Sequence, residues 1–153
     1  MLIEKIMAKA GELNLAEATL DEVYFEWYEL NKKILRKTTT AGVELGFRLR
    51  DGVSGLGEGD IVAASESGFI VVRVIPCQCL AVSWHNWQQL AQICYEIGNR
   101  HAPLFINSVK DRLLLPFDQP MERLLNKLGA HTSVVVEKLI TPLASLSGHS
   151  HAH

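Results

Sequence analysis

The apolar residues of this chain change period near Pro76, and that change limits the folds open to it. Before Pro76 they recur every second residue in short runs. Val23, Phe25 and Trp27 alternate with Tyr24, Glu26 and Tyr28, the period of a strand with one face buried. Ile34 to Thr39 and Val43 to Leu49 flank a turn at Ala41-Gly42, and Ser67-Gly68 separates Asp60 to Ala64 from Phe69 to Ile75. Short strands with turn signals at this spacing predict a small antiparallel sandwich or open barrel over residues 1–76. Beyond Pro76 a helical period enters. After an apolar strand at Gln78 to Ser83, residues Trp87, Leu90, Ala91, Cys94 and Ile97 fall on one stripe of an amphipathic helix. Asn86 is suited to cap that helix, Gln89 to close a capping box, and Gly98 to take the left-handed position that ends it. Strands at Leu104 to Ile106 and Arg112 to Leu115, a helix from Gln119 to Leu128 closed by Gly129, and a strand at Thr132 to Glu137 follow. The order β-α-β-β-α-β over residues 77–139 is that of the ferredoxin-like fold. Residues 140–153 contain Pro, Ser and Gly without periodicity and are expected to form a flexible, histidine-containing tail. The fold class is α+β.

Charge and composition exclude several functions. With 15 Lys and Arg against 17 Asp and Glu in 153 residues, the chain has no electrostatic footprint for nucleic acid. Lys32, Lys33, Arg36 and Lys37 form a local basic run, but Glu26, Glu29 and Glu44 are near in sequence, so the run reads as a solvated strand face. Charge interrupts Met1 to Met7, unlike a signal peptide. No segment approaches the ~20 apolar residues that span a bilayer. A cytoplasmic location follows as the expectation, with Cys77, Cys79 and Cys94 reduced.

The chemistry-bearing residues are histidines. Gly98-Asn99-Arg100-His101-Ala102-Pro103 ends the first helix and presents His101 on a short loop, since Pro103 cannot continue a helix. A histidine at that point either caps the helix C-terminus or serves as a ligand, and spacing does not decide between them. Gly148-His149-Ser150-His151-Ala152-His153 sets three imidazoles between small residues, a tract of the metal-binding kind. One imidazole holds a transition ion poorly, but a two-fold dimer with His101 near its axis would supply two. Imidazole suits nickel, copper and zinc. Cys77-Gln78-Cys79 would put two thiols on one side of a strand, yet lacks paired zinc spacing and reads as structural. Cys94 lies in the helical stripe and reads as packing. His85 and His131 read as capping or surface residues. The glycine-rich stretch Gly52 to Gly59 lacks the Lys-Ser/Thr of a P-loop and reads as a turn. No catalytic triad or carboxylate pair can be read from the spacing.

Cys94-Tyr95 followed by Gly98-Asn99-Arg100-His101-Ala102-Pro103-Leu104 resembles the signature of the UreE family of urease accessory proteins. Arg36 and Lys37, the Gly42 hairpin and Gly59-Asp60 fit the same family, so the resemblance covers nearly the whole chain. It implies a homodimer binding nickel through His101 of each subunit, with His149, His151 and His153 completing the coordination. Zinc and copper are the ions expected to substitute in vitro. The resemblance further implies delivery of nickel to urease through the partner GTPase UreG within a maturation complex, and a peptide- and partner-binding N-terminal domain. Many members carry a longer histidine-rich tail, so storage of several ions is not implied here. Lys110 to Glu122 has no histidine, so an auxiliary internal metal site is not implied either. Two other classes remain open on the residues alone. One is a metal-independent interaction module that binds peptide by strand addition. The other is a thiol-dependent enzyme using Cys94 with His101.

Overall fold

The computed structural model describes residues 1–65, 68–107 and 111–143. The chain divides into two compact units, Met1–Ile75 and Pro76–His153.

The first unit contains β1 (Leu2–Ile3), β2 (Leu20–Phe25), β3 (Ile34–Thr38), β4 (Glu44–Arg48), β5 (Ile61–Ser65) and β6 (Gly68–Val74). They form two three-stranded sheets, in the orders β1-β4-β3 and β2-β6-β5. Alternate residues of both sheets enter one core: Val23 and Phe25 from β2, Leu45 and Phe47 from β4, Ile70, Val72 and Val74 from β6. Phe25 and Phe47 meet edge to face, their ring centroids 5.4 Å apart, the arrangement favoured by the aromatic quadrupole. The sandwich is thus present, but its sheets are mixed. β1 runs parallel to β4 and β2 parallel to β6; hairpins fix only the antiparallel pairs β3–β4 and β5–β6. Parallel partners come from distant parts of the chain and leave no hairpin signal. Gly68 permits the β2–β6 pairing: its φ is +133°, and a Cβ there would lie 1.9 Å from the Thr19 carbonyl oxygen.

The alternation from Val23 to Tyr28 does not extend as one strand. β2 stops at Phe25, and Trp27–Glu29 form a 3₁₀ turn. Glu29 causes the turn: its carboxylate accepts the Glu26 backbone N–H at 2.9 Å and holds the Lys37 ammonium at 2.5 Å. Lys33 pairs with Asp51 and the Lys32 ammonium lies 5.7 Å from the Tyr28 ring centre, so much of the basic run is engaged locally.

The second unit contains β7 (Cys77–Ser83), α1 (Trp87–Asn99), β8 (Phe105–Asn107), β9 (Arg112–Pro116), α2 (Gln119–Lys127) and β10 (His131–Glu137). Its four strands form one antiparallel sheet in the order β10-β7-β9-β8. Order and connectivity are those of the ferredoxin-like fold. Leu80 and Val82 of β7 and Leu113 and Leu115 of β9 meet Ile93 and Ile97 of α1 and Met121 and Leu125 of α2 in the core. The buried stripe of α1 is rotated from the sequence expectation. Ile93 and Ile97 are fully buried, Leu90 and Cys94 pack at the margin, and Trp87 is 72% exposed.

Ordered chain continues past Leu139. The Leu139 side chain is fully buried. Ile106 donates its backbone N–H to the Thr141 carbonyl at 2.9 Å, Pro142 bridges Phe105, and Leu143 donates to the Leu104 carbonyl at 2.8 Å. Among the described residues, no helix is long and apolar enough to cross a membrane.

Candidate metal centre

α1 delivers His101, and both ends of the helix are determined by its sequence. At the start, the Asn86 side chain accepts the Gln89 N–H at 2.9 Å, satisfying one of the unpaired donors of the first turn. Gln89 returns a bond one residue earlier than a regular capping box, accepting the His85 N–H at 2.8 Å. Its amide nitrogen also donates to the Leu128 carbonyl at 3.2 Å and ties α1 to the end of α2.

The far end differs from the expectation in one respect. Gly98 does not terminate the helix; it lies within the last turn, and space is open around it. The left-handed residue is His101, with φ +52°. Its N–H donates to the Gly98 carbonyl at 3.0 Å, and the Ala102 N–H reaches back to the Ile97 carbonyl at 3.2 Å. These two bonds make a Schellman motif with His101 at the position that normally takes glycine. Ala102 then packs against the core that contains Ile97, the apolar contact that accompanies the motif. The imidazole is carried outward on an exposed residue.

The groups around His101 leave it open to a ligand. The Arg100 guanidinium donates to the Glu96 carboxylate at 2.6 Å and to the Glu96 carbonyl at 3.3 Å, so its charge is held back along the helix. The exposed side of α1 carries Trp87, Ala91, Tyr95 and Gly98, three and four residues apart and hence in one line. That line leads to the loop of His101. From the other direction, the bond from Leu143 to Leu104 fixes the chain three residues from His101, and His149 follows six residues after Leu143. This anchor was missed by the sequence reading. Its signal was the apolar set Leu139, Ile140, Pro142 and Leu143, passed over because it lacks periodicity.

Of the four residues expected to bind metal, His101 is described; His149, His151 and His153 lie outside the described residues. Among the described residues no group of three or more His, Cys, Asp or Glu side chains is gathered as a metal site. Among the described residues the loop after α1 therefore offers one imidazole, that of His101, and a transition ion requires further donors. His85 and His131 instead line a shallow cleft of about 340 Å³ with Ser83, Trp84, Gly129 and Ala130. Cys94 is half-buried against the α1 core, and burial pushes its thiol up from the ordinary value, the opposite of an activated nucleophile. In the glycine-rich stretch, Glu58 accepts the Val74 N–H at 2.6 Å, and Asp60 accepts the Gly57 N–H at 2.8 Å and the Lys9 ammonium at 2.9 Å. Those carboxylates hold a turn and present no cradle for phosphate.

Residues 3–75 match the family described as UreE urease accessory protein, N-terminal domain, and residues 77–153 match its C-terminal domain. The chain is 39% identical over 154 residues to a urease accessory protein UreE of Acetivibrio thermocellus, covering 100% of this chain and 99% of the relative. A urease accessory protein UreE of Helicobacter pylori is 36% identical over 140 residues, covering 91% of this chain and 82% of its own length. One of Flavobacterium johnsoniae is 32% identical over 153 residues, covering 100% and 91%.

Proposed function

The chain belongs to the UreE family of urease accessory proteins, and we propose that it is the nickel metallochaperone of urease maturation, with Ni²⁺ as its cargo. The family is one of accessory proteins, not enzymes, and the proposed mechanism makes and breaks only coordination bonds. The observation that carries the reading is the left-handed backbone of His101. Glycine at that position would be free of strain; a histidine there costs about 1–2 kcal/mol, a cost that a ligand role for its side chain accounts for.

In this mechanism two copies of the chain pair about a two-fold axis, each giving the imidazole of His101. The exposed line of Trp87, Ala91, Tyr95 and Gly98 is the surface we assign to the second copy, because it runs into the loop that carries the ligand. His149, His151 and His153 close over the ion. Six residues of chain reach at most about 20 Å, so a tail anchored at Leu104 starts within range of His101. Arg100, held by Glu96, does not oppose the cation. Ligands on a tail leave one at a time, which suits transfer rather than storage. The receiving partner is the GTPase UreG within the urease maturation complex, in the cytoplasm. The N-terminal domain engages partner peptides, for which β3, an outer strand of its sheet, offers an edge for strand addition. Zinc and copper compete for the same imidazoles in vitro.

Calorimetric titration of nickel, with the mass of each species measured in parallel, tests the reading. The expected result is one tightly bound Ni²⁺ per two chains, lost in His101→Ala and weakened in a chain ending before His149. Unchanged nickel affinity in His101→Ala would overturn the site. Partner binding that is equal with and without nickel would favour a metal-independent interaction module instead.

A further inference from the structure

Cys77 and Cys79 are two residues apart on β7, so their side chains share one face of the sheet. Their sulfur atoms lie 3.7 Å from each other. Two thiolates bound to one tetrahedral Zn²⁺, each at about 2.3 Å, stand about 3.8 Å apart. The pair therefore spans one edge of such a coordination shell as it stands. A linear two-coordinate ion would need twice the bond length, about 4.6 Å, and fits less well.

The strand keeps the two sulfurs in that relation. β7 is an inner strand, hydrogen-bonded to β10 on one side and β9 on the other, so little ordering is needed on binding. The Cys79 sulfur is also 3.2 Å from the Cys77 carbonyl oxygen and 3.6 Å from the Glu137 carbonyl oxygen. The Cys79 thiol donates toward these carbonyls, contacts that fix the position of its sulfur. Cys79 is buried and Cys77 half-buried, so an ion enters from the Cys77 side. Cys94 has no such companion thiol and packs against the core of α1.

We propose that Cys77 and Cys79 form a two-thiolate site for a thiophilic divalent cation of the zinc type, one per chain and separate from the imidazoles of His101 and the tail. On binding, both S–H bonds break, the two protons pass to solvent, and two metal–sulfur bonds form with no change of oxidation state. Two thiolates neutralise the divalent ion. Water fills the remaining positions, so the ion stays exchangeable.

The test uses the full-length protein carrying His101→Ala, His149→Ala, His151→Ala and His153→Ala together, which removes the imidazole donors of the proposed nickel site. Titration of the reduced protein with Co²⁺ is expected to give a sulfur-to-cobalt charge-transfer absorption that saturates at one ion per chain and is bleached by equimolar Zn²⁺. Adding Cys77→Ser abolishes the band; adding Cys94→Ser leaves it. In the unsubstituted protein, Zn²⁺ slows alkylation of Cys77 by iodoacetamide, read by mass spectrometry, which requires no variant to fold. Absence of the band, its survival in Cys77→Ser, or alkylation indifferent to Zn²⁺ would each overturn the site.

Discussion

Left-handed backbone costs a side-chain-bearing residue about 1–2 kcal/mol, and at the end of α1 that cost falls on His101. Exchange for glycine separates the two roles a histidine can have there. His101→Gly is expected to stabilise the fold by about 1 kcal/mol, raising the melting temperature by about 2–4 °C, while abolishing nickel binding. Thermal melts and calorimetry on one preparation read both effects. A variant that is more stable and still binds nickel would reduce His101 to a helix terminator. A second residue contributes to the pH response of the first unit. Burial pushes the Asp21 carboxyl up, but hydrogen bonds from Thr39, Ala41, Thr40 and Glu22 outweigh it and hold the group below its ordinary range. The Thr40 hydroxyl and the Ala41 and Glu22 backbone N–H groups reach its Oδ1 at 2.8, 3.0 and 2.9 Å. A carboxylate depressed in the folded state stabilises above its unfolded pKa of about 3.9 and ceases to do so as pH falls through the lower folded value. Asp21→Asn should therefore cost about 1–3 kcal/mol at neutral pH. Urea denaturation of both proteins across the acid range should show the difference shrinking below about pH 4.

Among the elements, α1 carries both the proposed ligand His101 and the surface assigned to the second copy. Tyr95 is 67% exposed in the middle of that surface and contributes nothing to the core. Tyr95→Glu should leave the stability of the chain within about 0.5 kcal/mol, yet convert the proposed dimer to a monomer and weaken the proposed nickel binding with it. Mass measurement at matched concentration checks this, and a Tyr95→Glu protein that remains dimeric would move the interface elsewhere. The same helix shows what periodicity can and cannot reveal. Asn86, Gln89 and the apolar repeat made its existence and N-terminus legible. Its rotation was not, because an exposed tryptophan has the same hydropathy as a buried one; Trp87 and Ala91 counted toward the core in place of Ile93. Its last turn was misassigned because glycine is the ordinary left-handed residue, and nothing in Gly98-Asn99-Arg100-His101 reveals that the histidine takes that role. In the first unit the hairpin at Gly42 was legible from local turn chemistry. The parallel pairs β1–β4 and β2–β6 depend on contacts between distant segments, which period-two patterning does not encode.

For the whole molecule, the proposed chemistry joins parts that are far apart in sequence. β-α-β-β-α-β brings the end of α1 into β8, and the run from Leu139 to Leu143 returns to the same strand, with Leu143 bonded to Leu104. In the proposed site the tether to the tail histidines is thus counted from Leu143, bonded three residues beyond His101, rather than from the end of β10. Their effective concentration at the ion depends on the length of chain after that anchor, falling roughly as the −3/2 power. Inserting ten Gly and Ser residues between Leu143 and His149 lengthens the tether from six residues to sixteen and should weaken nickel binding about fourfold. A chain ending before His149 should weaken it further, and a Leu143→Pro variant, which lacks the N–H donated to Leu104, should fall between the parent and that truncation. Competition of each protein against one chelator orders the affinities. If truncation weakens binding but insertion does not, the histidines bind without help from the anchor. If truncation has no effect, the tail is not part of the site, and His101 must find its remaining donors in the dimer or in solvent.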